Sequence, residues 1–125
     1  MDSIFLACLA ASLAIEVPIL VVFLRIRQRS PPLSRRRVAV AGLLATATSL
    51  PYLWFLAPMV VPDDFFWWIG EGTVVVIEAS ILAFVLPLPV RDSLLASMLC
   101  NLSSLAFGSL ALRVLEHSRG SAWAW

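Results

Sequence analysis

Charge is scarce in this chain. Only 14% of its 125 residues are Asp, Glu, Lys or Arg, while 61% are hydrophobic. A soluble domain is about a quarter charged and about half apolar. A soluble domain this small also leaves much of its surface in water and has nowhere to hide so much apolar area. The composition therefore excludes a soluble globular enzyme and a disordered tail. Lysine is absent, and nine arginines face eight acids for a net charge of +1. That balance argues against a polyanionic partner, so no nucleic-acid binding is expected. Cysteine and histidine are nearly absent too: Cys8, Cys100 and His117 form no metal or redox spacing. No protein-bound zinc or haem, and no cofactor, is expected.

What the chain has in place of charge is four long apolar runs. A membrane-crossing helix takes about 20 mostly apolar residues. The runs are Ile4–Leu24, Val38–Met59, Phe65–Leu86 and Ser93–Leu112. Arg25 closes the first and Arg37 precedes the second. Pro62-Asp63-Asp64 opens the third, and Pro87-Leu88-Pro89 follows it. Arg91-Asp92 opens the fourth and Arg113 closes it. The loops are short, so sequential helices should be antiparallel neighbours. The expected fold is an all-α integral membrane protein, with residues 1–125 as one antiparallel four-helix transmembrane bundle.

Six of the nine arginines fall in one stretch: Arg25, Arg27, Arg29, Arg35, Arg36 and Arg37. Arginine collects in loops on the cytoplasmic side. This basic loop and the Arg91 loop are therefore expected inside, with both termini and the Pro62 turn outside. Arg113 and Arg119 sit on the outer side in this arrangement, a mild conflict with the bias. A signal peptide carries positive charge before its apolar run. Here only Asp2 precedes the run, which favours an uncleaved anchor. Trp54, Trp67, Trp68, Trp123 and Trp125 all fall near the outer interface in this arrangement. Tryptophan prefers the headgroup region, so the C-terminal Ser-Ala-Trp-Ala-Trp reads as an interfacial anchor.

Three acids lie inside the spans: Glu16, Glu71 and Glu78. A charge at the bilayer centre costs about 2.5–3.5 kcal/mol on insertion scales, so such residues normally face the bundle interior. Glu16, Thr46, Glu78 and Asn101 each lie eight residues from the inner end of their span. At about 1.5 Å of rise per residue they share a depth of roughly 12 Å from the cytoplasmic edge. Small and polar residues extend this layer along helical faces. Ser12 accompanies Glu16. Gly42 and Ser49 accompany Thr46. Ser97, Ser104 and Gly108 accompany Asn101, and Glu71 lies two turns from Glu78. Such stripes let membrane helices pack closely and hydrogen-bond. Pro18, Pro51 and Pro58 are expected to free backbone carbonyls and bend their helices.

The layer has two readings. It is a structural lock, in which Thr46 and Asn101 hydrogen-bond the carboxyls. Or it is a binding site, in which two carboxyls share a proton or hold a solute. On the second reading the function is binding or transport of a small solute or protons, with a homo-oligomer enclosing the needed volume. A structural or assembly subunit of a membrane complex is the first alternative, since the Ser104–Gly108 pair suits a helix partner equally. An intramembrane enzyme on a lipid or peptide is the second, with Glu16 and Glu78 as acid and base and Asn101 as donor. No nucleophile-plus-base motif supports it. The Asn101-Leu102-Ser103 sequon lies within a span and is not a glycosylation site.

Two resemblances accompany these readings. Four spans with Leu13-Ala14-Ile15-Glu16 in the first look faintly like the small multidrug resistance exporters. That resemblance implies that Glu16 alternately binds protons and cationic substrate. The basic first loop and the two third-span carboxyls depart from that family. Across nearly the whole chain, Glu16-Val-Pro18-Ile19, Leu50-Pro51-Tyr52-Leu53-Trp54, Glu71 with Glu78, and Asn101 with Ser104 and Gly108 resemble a group of uncharacterised bacterial four-span proteins. This second resemblance implies the fold and a bacterial inner-membrane location, and no chemistry.

Overall fold

The computed structural model describes residues 3–27 and 33–121. Arg29, Trp123 and Trp125 lie outside the described residues. Among those described, every regular element is helical. Helix α1 is Ser3–Arg27 and helix α2 is Arg35–Pro51. A π-helical turn, Tyr52–Leu56, continues α2 into the short α3, Ala57–Val60. A 3-10 turn, Asp63–Phe65, leads into α4, Phe66–Val85, and α5 is Val90–Ser121. Four stretches are long and apolar enough to cross a membrane: Ser3–Arg27, Arg35–Val60, Asp63–Val85 and Val90–Leu110.

Local chemistry sets the helix ends. Ser34 caps α2, its hydroxyl accepting from Arg37 N–H at 3.3 Å. A cap of this kind satisfies one of the orphan amides of the first turn. Pro87 and Pro89 separate α4 from α5, because proline supplies no amide to a continuing helix. The first turn of α5 then hangs on the Pro89 carbonyl, which accepts from Asp92 N–H at 2.9 Å and Ser93 N–H at 3.0 Å.

The helices depart from the apolar runs in three places. Arg113 does not close the fourth helix, since α5 runs on to Ser121. Likewise α1 continues past Arg25 to Arg27. Arginine is a good helix former, so it marks the edge of an apolar stretch without breaking the hydrogen-bond ladder. The second span is not one α-helix either. Pro51 lacks the amide an α-turn needs, and the chain passes through the π turn, where Ala57 N–H donates to Tyr52 O.

Helices α1, α2, α4 and α5 form a closed ring of neighbours: α1 against α2, α2 against α4, α4 against α5 and α5 against α1. Gly42 lets α1 and α2 approach closely. A Cβ there would stand 3.2 Å from Leu20 Cδ2 and 3.3 Å from Val17 Cγ2. The core sits between the helices near the basic loop and includes Leu20, Leu24, Ala45, Leu82, Leu86 and Cys100. At this end Arg27 pairs with Asp92 at 2.9 Å, and Arg37 Nε donates to Val85 O at 3.2 Å. At the other end Phe5 packs against Trp54 and Phe55, with ring centroids 5.8 and 5.2 Å apart. Large apolar side chains such as Val22, Phe84, Leu102 and Phe107 point outward. An apolar exterior of this extent suits contact with lipid.

Candidate functional site

Each helix of the ring brings a polar residue to one level. Glu16 comes from α1, Thr46 and Ser49 from α2, Glu78 from α4, and Ser97 and Asn101 from α5. Thr46 and Ser49 are three residues apart and so share a face of α2, yet they serve different carboxyls. Thr46 Oγ1 donates to Glu16 Oε2 at 2.6 Å, and Ser49 Oγ donates to Glu78 Oε1 at 2.6 Å. On the far side of Glu78, Oε2 accepts from Asn101 Nδ2 at 2.6 Å and from Ser97 Oγ at 3.2 Å. Cys100 Sγ–H donates to the Glu16 backbone carbonyl at 3.5 Å. Each neighbouring pair of helices in the ring is thus tied by at least one hydrogen bond at this level.

The ties matter because lipid tails are as apolar as leucine. Burying a leucine between membrane helices gains little by the hydrophobic effect, so packing and interhelical hydrogen bonds hold the bundle. Glu16 and Glu78 retain only 5% and 3% of their exposure, and no buried side-chain nitrogen or oxygen among the described residues lacks a partner. Both carboxyl residues also line a small crevice of about 10 Å³, shared with Gly42, Leu82 and Cys100. That is about the smallest volume able to hold one water.

A much larger cavity, of about 510 Å³, lies against the same layer. Glu16, Glu78, Thr46, Ser49 and Asn101 belong to its wall. The rest of its lining comes from residues before Glu16 in α1, after Thr46 in the second span, before Glu78 in α4 and after Asn101 in α5. These include Ser12, Trp54, Trp67, Glu71 and Ser104. The polar layer is therefore the floor of the cavity, and the apolar core seals the bundle beneath it. Asn101 Nδ2 also donates to the Ser97 backbone carbonyl at 3.0 Å, and Ser104 Oγ donates to the Asn101 backbone carbonyl at 3.0 Å. Glu71 is half-buried in the wall, one helical face above Glu78.

The four residues of equal depth, Glu16, Thr46, Glu78 and Asn101, are brought together. The secondary positions Ser12, Ser49, Ser97, Ser104 and Glu71 all lie within or beside them, except that Ser97 sits behind Glu78 and away from the cavity wall. Gly108 belongs to the same α5 stripe as Ser104. It lines the cavity, and a Cβ there would meet nothing within 4 Å, so it does not seat a neighbouring helix. Arg25, Arg35 and Arg36 are exposed at the opposite end. Sequence reasoning missed Cys100, although its position three residues after Ser97 places it on the same face of α5. It also missed the aromatic wall, since nothing in the spacing of Trp54 and Trp67 shows that they border one space.

No family model, no curated protein and no solved structure matches the chain.

Proposed function

We propose that this chain is an integral membrane protein that binds a small solute in the carboxyl-floored cavity and transports it or protons. The observation that carries this reading is the cavity of about 510 Å³ with Glu16 and Glu78 in its wall. Its volume falls within the range of about 300–1,000 Å³ common for small-molecule sites. Ionisable residues inside a membrane are otherwise expensive and by default functional. The lock and site readings are compatible here. Glu78, with three donors, does more of the locking, and Glu16 is the more available for exchange.

The contact pairs support an antiparallel arrangement. Phe5 meets Trp54, Glu16 meets Thr46 and Arg27 meets Asp92. The arginine bias favours the basic loop on the cytoplasmic side of a bacterial inner membrane, with both termini outside. The cavity then opens away from the cytoplasm. Four helices enclose little volume beyond this cavity, so a complete pathway is expected to need a second copy or a partner.

The test is proton flux into proteoliposomes, read with an entrapped pH-sensitive dye. Glu16→Gln and Glu78→Gln should each lower the initial rate at least tenfold at equal amounts of folded protein. Unchanged flux in both variants would remove proton coupling. A lower melting temperature with unchanged flux would leave the layer as a lock alone.

A further inference from the structure

A second concave feature adjoins the cavity, on the face shared by α4 and α5. A groove of about 240 Å³ runs there, and its rim includes Trp68, Gly72, Met98 and Leu102. Trp67, Glu71, Asn101 and Leu105 line both the groove and the cavity. Trp68 is 82% exposed and Leu102 61% exposed on this outer, apolar side. The lipid-facing groove and the carboxyl-floored cavity thus share one wall, and a path between them would cross it at Glu71.

The chemistry along the path selects what takes it. Glu16, Glu71 and Glu78 line the cavity, and no Arg or His does among the described residues. This lining favours a cation over an anion. Glu71 differs from the other two in accepting no hydrogen bond from any described residue. Glu16 is held by Thr46, and Glu78 by Ser49, Ser97 and Asn101. Its carboxyl is half-buried with accessible oxygens, so a ligand cation can supply the partner that the described residues do not. Trp67 stands beside Glu71 on the path and Trp54 on the cavity wall, and an indole face attracts a desolvated cation. The remainder of the groove is apolar, so a strongly hydrated cation pays heavily to pass while an apolar body gains contact.

We propose that the α4–α5 groove is a lateral portal through which a small amphipathic amine enters the cavity from the bilayer, its ammonium head received by Glu71. This rests on the cavity being a binding site, and it names the class of ligand and the route. Gly72 offers a clean test of the route. It lines the groove but not the cavity, and a Cβ there meets nothing within 4 Å. A side chain at this position starts in open space, and a leucine is large enough to narrow the groove.

The experiment uses the full chain in nanodiscs and follows quenching of tryptophan emission by terminally brominated undecylamine. Terminally brominated undecanol and undecanoic acid serve as the neutral and anionic probes. The amine should quench saturably, be displaced by unbrominated undecylamine, and bind at least tenfold more tightly than the alcohol, with no saturable signal from the acid. Glu71→Gln should abolish the preference for amine over alcohol. Gly72→Leu should slow the stopped-flow onset of quenching at least tenfold with an unchanged melting temperature. Equal binding of amine and alcohol to the unmodified protein overturns the ligand class. An unchanged onset in Gly72→Leu overturns the route. Neither result depends on transport: a protein whose proton flux ignores Glu16→Gln but which still prefers the amine refutes the flux reading and leaves the portal standing.

Discussion

Three carboxyls in the same bundle differ in how they are held. Glu78 accepts from three side chains, Glu16 from Thr46, and Glu71 from none among the described residues. Removing a donor from Glu78 should therefore be felt as instability. Asn101→Ala leaves Oε2 with only the 3.2 Å contact from Ser97. Interhelical hydrogen bonds in membranes average about 0.6 kcal/mol and reach about 1.7, and leaving a buried acceptor short of a partner costs about 1–3 kcal/mol. A loss of about 1–2 kcal/mol is expected in reversible mixed-micelle unfolding. Thr48→Ala is the comparison, because the Thr48 hydroxyl bonds only Leu44 O on its own exposed face. Such surface changes stay within about 0.5 kcal/mol. Equal losses in the two variants would remove the lock. The depth of Glu16, Thr46, Glu78 and Asn101 was legible from counting residues, because rise per residue is constant. Which hydroxyl serves which carboxyl was not, because that depends on which helices are neighbours. Asn101 and Thr46 sit at one level, yet the amide reaches Glu78 and the threonine reaches Glu16.

Among the elements, glycine has opposite meanings at two positions that read alike. Gly42 lies under Leu20 and Val17 at the α1–α2 crossing, while Gly108 faces open space in the cavity. Gly42→Leu should force the helices apart and cost about 1–3 kcal/mol, the usual penalty of overpacking. Gly108→Ala should be neutral or stabilising by up to about 1 kcal/mol, because alanine is the better helix former. The same unfolding assay checks both, and a neutral Gly42→Leu would mean that the crossing is loose. The π turn is the second lesson at this scale. Pro51 signalled a break, but the extra residue per turn that carries Leu53 and Trp54 toward the cavity has no sequence signature. Its reach extends to α4: a Cβ on Gly70 would lie 3.0 Å from Leu53 Cδ1. A larger side chain at Gly70 therefore meets the turn directly.

For the whole molecule, the ring α1–α2–α4–α5 places a sealed end and an open end on one axis. The sealed end holds the apolar core and the Arg27–Asp92 pair. That pair is partly exposed, and ion pairs of this kind contribute about 0–1 kcal/mol, so the core and the hydrogen-bonded layer do the sealing. Under the proposed orientation, a cysteine at Asp63 should react with a membrane-impermeant maleimide in intact cells. A cysteine at Ser34 should react only after permeabilisation. Both are introduced in a Cys8→Ser, Cys100→Ala background. The reverse labelling pattern would invert the orientation and turn the cavity toward the cytoplasm.

The sequence by itself determined that the chain carries four apolar helices long enough to cross a membrane, and that Glu16 and Glu78 lie at one depth within them. Both follow from quantities local to the chain, namely apolar run length, helical rise and the positions of prolines and arginines. Only the tertiary structure decided that the carboxyl layer is a floor with a cavity on one side and a sealed core on the other. It alone decided that Glu71, without a donor among the described residues, lines both the cavity and the α4–α5 groove. A void and a missing partner are properties of what surrounds a residue, and the surroundings come from helices that the sequence leaves free to rotate about their own axes.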